Sequence, residues 1–361
     1  MTDQLRDAPP SGVPTMRSVA REAGVSVATV SNALNNPDRV AAETLTRVRE
    51  VIDRVGFIRN NAARSLVTRR SEGLGLIVPD LENSLFIDMA RGAQASGRDL
   101  DLTLLIANSG YSLDSAREDP EHPDQQDQFL DYFAEARVRG LLLSPMRDPR
   151  AGMGRIREHI VPLVVLNWDD PDPDWCTVVM DNEQVGRLAI EHLASTGIRR
   201  VYFVCPDAEL QPLVDRRRGV HAAAETLDVT VIDVPAADLW SLDGRAAAGP
   251  IVENWRPDDG QFAILGATDA VALGVLEALR SRPHIRVPTD IAVMGMDDNH
   301  HADHSDWITL TSFDFPGFQM GEQAIRLLAE ELAAPPGTHM HQRVVLPVEV
   351  HPRASTGPVR G

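Results

Sequence analysis

A chain of 361 residues that is 43% hydrophobic and 24% charged can build two or three domains with sizeable cores, and its two cysteines, Cys176 and Cys205, exclude a disulfide framework. No run reaches the roughly 18 apolar residues of a membrane span, and the opening residues lack a basic-then-apolar export signal, so a cytoplasmic protein is expected. The formal net charge of −18 is uneven: residues 1–70 carry 11 Arg against 7 acids, the remainder 24 Arg against 46 acids, which is the layout of a small DNA-reading module on a large acidic body.

Residues 1–14, with three Pro and no helical apolar pattern, are expected to be a disordered leader. From Thr15 the pattern becomes helical. Thr15 can cap a helix whose apolar positions Met16, Val19, Ala20 and Ala23 recur at three and four, with Gly24 ending it. Ser26 can cap a second helix, Val27 to Leu34, stopped by Asn35-Asn36-Pro37, with Val30, Ala33 and Leu34 inward. A third runs from about Ala42 to Val55 on a stripe of Leu45, Val48, Val51, Ile52 and Val55. Two short helices joined by a tight glycine turn, with a third as support, make a helix-turn-helix unit over residues 15–58, and periodicity alone leaves a plain three-helix bundle equally open. A linker, 59–72, follows.

From Gly73 short apolar runs (LGLIVP, LTLLIA, RGLLLSP, PLVVLNW, RVYFVC and IAVMGM) alternate with helical stretches, which predicts an α/β core of two doubly wound parallel sheets. The first subdomain is expected at about 74–174 and 310–338, the second at about 177–306 and 340–361. Neither a phosphate-binding G-x-x-x-x-G-K-[ST] loop nor a G-x-S-x-G elbow occurs, and Gly73-Leu74-Gly75 lacks the third glycine of a dinucleotide loop. The cluster DDNHHADH, Asp297 to His304, invites a metal-hydrolase reading, but H-H-x-D-H matches no zinc spacing on a helix face, and a solvated loop is preferred. No catalytic residue, metal or cofactor is expected.

The stretch Val19 to Val48, VAREAGVSVATVSNALNNPDRVAAETLTRV, with its A-G-V-S-x-x-T-V-S-x-x-L-N core at Ala23 to Asn35, resembles the headpiece of the lactose/galactose repressor (LacI-type) family of bacterial transcriptional regulators. The resemblance continues through a hinge, Gly56 to Ser71, and the rest of the chain. It implies a periplasmic-binding-protein-like core and a homodimeric, ligand-controlled regulator, most simply a repressor of sugar-utilisation genes on a pseudo-palindromic operator, working at the nucleoid. A transport-type sugar-binding protein would share the body but has no use for Ala23 to Asn35. The C-terminal residues carry no leucine heptad, which favours a dimer over a coiled-coil tetramer.

By the same resemblance Val27 and Ala28 occupy the base-reading start of the recognition helix, where they can touch a thymine methyl but cannot fork onto guanine or adenine. Asn32 is the polar candidate for a base edge; Ser26, Thr29, Ser31 and Thr44 offer hydroxyls to phosphates. In the hinge, Asn60, Ala63 and Arg64 would meet the minor groove and Leu66 would wedge between base pairs. The family has Pro where this chain has Arg59. In the cleft, Leu85 and Phe86 are expected to wall the pocket, Arg216 to fork onto ligand oxygens, and Trp240, helped by Trp168, to stack on a ring face. Asp181, Thr268 and Asp297 are the expected polar contacts, with Asp269 capping its helix. Leu210 and Pro212 replace the Arg and Thr of a purine-responsive relative, leaving a sugar or sugar derivative as the expected effector.

Overall fold

The computed structural model describes residues 14–57, 73–100, 102–110, 113, 125–158, 161–169, 174–297 and 307–357, and the chain divides into two compact units, Met1–Arg69 and Arg70–Gly361. In the first unit, helix α1 (Met16–Ala23) begins with a reciprocal cap. Thr15 Oγ1 accepts from Ser18 N at 3.2 Å and Ser18 Oγ from Thr15 N at 2.8 Å. Gly24 ends the helix at φ 65°, a left-handed conformation that costs glycine nothing. Helix α2 (Val27–Asn35) starts at Ser26, whose Oγ accepts from Thr29 N at 3.0 Å, and runs one residue beyond its expected end to the Asn36-Pro37 stop. Helix α3 (Ala42–Val55) lays Val48 and Val51 on Val19, Ala23, Val30 and Ala33, and this small core holds the unit together.

The second unit opens with strand β1 (Gly73–Val78), helix α4 (Ser84–Gly97), β2 (Thr103–Asn108), α5 (Gln126–Glu135), β3 (Gly140–Leu143), α6 (Gly154–Glu158), β4 (Leu163–Leu166) and β5 (Cys176–Met180). There follow α7 (Asn182–Ser195), β6 (Arg200–Pro206), α8 (Gln211–Leu227), β7 (Thr230–Ala236), α9 (Ser241–Asn254), β8 (Phe262–Gly266), α10 (Asp269–Arg280) and β9 (Ile291–Met294). The chain returns through β10 (Ser312–Asp314), α11 (Gly317–Ala333), β11 (Arg343–Leu346) and β12 (Glu349–His351). A six-stranded sheet in the order β11-β5-β4-β3-β1-β2 and a four-stranded one, β7-β6-β8-β9, are parallel throughout, while β10 and β12 pair antiparallel. Every residue of β1, β3, β4, β5, β8 and β9 is buried, because helices cover both faces; that is why these strands read as unbroken apolar runs.

The sheet order corrects the expected subdomain boundary. Cys176–Met180 and Arg343–Leu346, expected in the second subdomain, are neighbouring strands of the first sheet, with Val164 opposite Cys176 and Thr177 opposite Arg343. The crossing to the second subdomain comes at Asp181, between β5 and α7. An apolar run carries no mark of which of two parallel sheets it joins.

Three helix pairs cross through glycines. A Cβ on Gly92 of α4 would strike Phe318 O of α11; one on Gly186 of α7 would strike Arg216 O of α8, and one on Gly219 would strike Glu183 O; one on Gly274 of α10 would strike Ser241 O of α9. These backbone-to-backbone approaches set the depth at which the helices seat. Among the described residues no helix is long and apolar enough to cross a membrane.

Candidate functional site

Two surfaces carry chemistry, one in each unit. On α2, burying Val30 and Ala33 turns Val27, Ala28 and Asn32 outward to solvent, with Val27 43% exposed. Ser26 is exposed, Thr29 and Ser31 are half-buried beside it, and the Ser26 and Thr29 hydroxyls are 2.8 Å apart. The start of α2 therefore presents two small apolar side chains, an amide one turn later, and amide and hydroxyl groups suited to a phosphate. Thr44 is half-buried in the first turn of α3. Asn60, Ala63, Arg64 and Leu66 lie outside the described residues.

In the second unit a cavity of about 940 Å³ opens at the C-terminal ends of the parallel strands. Strand ends supply much of its polar lining: Asp80 and Asn83 after β1, Asn167 after β4, Asp238 after β7, Thr268 after β8 and Asp297 after β9. Leu85, Phe86, Leu210 and Leu213 supply buried apolar wall, while Trp240 and Trp307, 37% and 40% exposed, stand at the rim. The size is that of a small-molecule site, apolar with a few convergent polar groups.

At the centre Arg216, on α8, is buried and held on three sides. Its Nε donates to Asn182 Oδ1 at 3.0 Å and its Nη1 to Ala267 O at 2.7 Å and to Asp297 Oδ1 at 3.5 Å, with the guanidinium 5.2 Å from the centre of the Phe315 ring. Asp297 N donates to Asp269 Oδ1 at 3.1 Å, and Ser312 Oγ donates to the same carboxylate at 2.5 Å, fixing the end of β9. Bonds that join the subdomains at the cleft include Asn83 Nδ2 donating to Asp297 Oδ2 at 3.0 Å and Leu113 N to Asp238 Oδ2 at 3.0 Å, and beside them Asp169 N donates to Gln211 Oε1 and Gln211 Nε2 to Asp169 O, each at 2.6 Å. Burial pushes the Asp80 carboxyl above its ordinary range, against the pull of the Glu82 and Asn83 amides.

Of the residues expected in the cleft, Leu85, Phe86, Arg216, Trp240, Thr268 and Asp297 line the cavity and two do not. Trp168 packs beside Trp175 and Val161 on the far core of the first sheet, and its neighbour Asn167 faces the cavity instead. Asp181 is exposed and caps α7, accepting from Gln184 N at 2.8 Å, while Asn182 turns inward to Arg216. Asp269 does not cap α10; Thr268 Oγ1 does, accepting from Val271 N at 3.2 Å, and the buried Asp269 carboxylate serves the strand end. Asp80 and Asp238 were not anticipated. The signal available for Asp238 was an acid closing an apolar strand two residues before an aromatic.

Residues 15–60 match the model for bacterial regulatory proteins of the lacI family, and residues 190–356 that for a periplasmic binding protein-like domain. The HTH-type transcriptional regulator CelR of Thermobifida fusca is 30% identical over 334 residues, covering 88% of this chain and 92% of the relative. A solved structure, the transcriptional regulator CelR–cellobiose complex, is 26% identical with a TM-score of 0.64, covering 95% of this chain and 99% of that one. The Lac repressor dimer bound to operator and the anti-inducer ONPF superposes with a TM-score of 0.76 at 21% identity, covering 96% of this chain and 99% of that one, a likeness of fold.

Proposed function

The chain belongs to the lacI family of bacterial regulatory proteins, and from that premise we propose that it represses sugar-utilisation genes at the nucleoid, holding a pseudo-palindromic operator as a homodimer until a sugar or sugar derivative seats in the cleft. It is a sequence-specific DNA-binding regulator rather than an enzyme. The observation that carries the ligand class is the polar group Asn83, Arg216 and Asp297 set among apolar walls with tryptophans at the rim. Carboxylates accept from hydroxyls, Arg216 and Asn83 donate to ring or hydroxyl oxygens, and an indole face covers the C–H side of a pyranose.

A ligand competing for Asp297 or Asp238 acts on two of the bonds that join the subdomains, and so on closure. A coupling of about 1–3 kcal/mol between closure and the hinge would change operator affinity roughly 5- to 150-fold. In the same reading the hinge residues Asn60, Ala63, Arg64 and Leu66 enter the minor groove, and two-fold pairing is needed because one headpiece spans too few bases.

The experiment is selection of the full chain from a random duplex pool, then repetition with a panel of mono- and disaccharides. Enrichment of a pseudo-palindrome, lost when one sugar is added, is the expected result. A pool that stays unenriched under every condition rejects the operator, and an enriched site indifferent to every sugar rejects the ligand class.

A further inference from the structure

Cys176, the first residue of β5, is buried, and the segment that leads into β11 passes over its thiol. Thr177 N donates to Gln342 O at 2.8 Å, and Gln342 N points at Cys176 Sγ at 3.5 Å, which pins the backbone of His339-Met340-His341 beside the sulfur. The alternation of extended chain sends both imidazoles the same way and Met340, 83% exposed, the other. His339 Nε2 lies 3.2 Å and His341 Nδ1 3.9 Å from Sγ, and the three atoms all fall within 4.8 Å of one another.

Tetrahedral zinc, with Zn–S of about 2.3 Å and Zn–N of about 2.0–2.1 Å, holds sulfur and nitrogen about 3.6 Å apart, and the two observed separations bracket that spacing. We propose that Cys176, His339 and His341 form a binding site for zinc or a similar borderline transition-metal cation, with the fourth position open to solvent on the His341 side. One thiolate and two imidazoles select against magnesium and calcium, which take oxygen ligands. Asp174, whose charge acts on His341, and Glu330, whose charge is coupled to His339, add negative potential around a dication. On ligation the thiol gives up its proton to solvent.

The site is separate from the ligand cleft. All strands of the six-stranded sheet are parallel, the cleft takes their C-terminal ends, and Cys176, like Gly73, stands at the start of its strand. A cation there clips the edge strand β11 to β5 from the end at which the chain enters the core.

The test uses the full chain, stripped with a chelator, and cobalt(II) or zinc alone as probes. The expected result is one cobalt per chain with a thiolate-to-cobalt charge-transfer band, displaced by zinc, unchanged in Cys205→Ser and absent in Cys176→Ser. His341→Gln, at an exposed position that spares the core, should weaken cobalt binding at least about tenfold and cancel the rise in melting temperature that zinc gives the wild type. A wild type that shows no thiolate band rejects the proposal and leaves a Cys176–His339 hydrogen bond. Metal bound without that band also rejects it and points to His300, His301 and His304, outside the described residues.

Discussion

Asn83 and Asp297, 214 residues apart in the chain, are joined by a 3.0 Å bond from amide Nδ2 to carboxylate Oδ2, so the cap of a first-subdomain helix is tied to a strand end of the second. The other amide atom, Oδ1, accepts from Leu85 N at 2.9 Å and starts α4. Asn83→Asp therefore keeps the cap and replaces the donor with a second carboxylate beside Asp297. Effector affinity should fall about tenfold or more and the core should expand, measured by ligand titration and small-angle scattering, with the melting temperature nearly unchanged. An unaltered titration would remove Asn83 from the site.

Ser26 separates capping from DNA contact. Aspartate caps a helix about as well as serine, but it places a negative charge where a phosphate would approach. Ser26→Asp should leave headpiece melting within about 0.5 kcal/mol of wild type and lower operator affinity at least tenfold, as read by anisotropy titration. Equal operator affinity would put the start of α2 away from the DNA backbone.

Gly186 sets how closely α7 approaches α8, and so where Asn182 meets Arg216. Gly186→Ala drives a methyl into Arg216 O and should cost about 1–3 kcal/mol in chemical denaturation, with loss of effector binding. Gly97→Ala is the contrast. Its Cβ would meet Leu102 Cβ at an ordinary 3.8 Å, and removing a glycine from the end of α4 should stabilise by about 0.5–1 kcal/mol.

His192 is buried on α7 with Nε2 2.9 Å from Thr356 Oγ1, and burial holds its pKa below the ordinary 6.5. The folded state thus binds the proton less readily than the unfolded chain. Stability is intact above pH 6.5 and declines as the pH falls below it. His192→Gln keeps a polar partner for Thr356 without titrating, so its melting temperature should fall less than the wild type's on acidification from neutral pH. Parallel curves for the two proteins would show that His192 does not contribute.

The headpiece was legible because its punctuation is local: Thr15, Ser26, Gly24 and Gly56 act on residues within four of themselves. The sheet assignment of Cys176–Met180 was not, since its partners Leu163–Leu166 and Arg343–Leu346 are fixed by tertiary packing. Both errors in the cleft were slips of one position. Asn167 lines the cavity where Trp168 was expected, and Asn182 turns inward to Arg216 where Asp181 was expected, because adjacent residues leave a strand end on opposite sides. The Cys176–His339–His341 group spans 165 residues of sequence, beyond any spacing rule for metal ligands.

The first sheet is completed by β11, and its outer helix layer by α11, from the far end of the chain. During synthesis, at about 5–20 residues per second, the headpiece emerges and can close its core roughly 10–50 s before α11 leaves the ribosome. Each nascent regulator therefore passes through an interval in which its DNA-reading helices are built and its effector cleft is not.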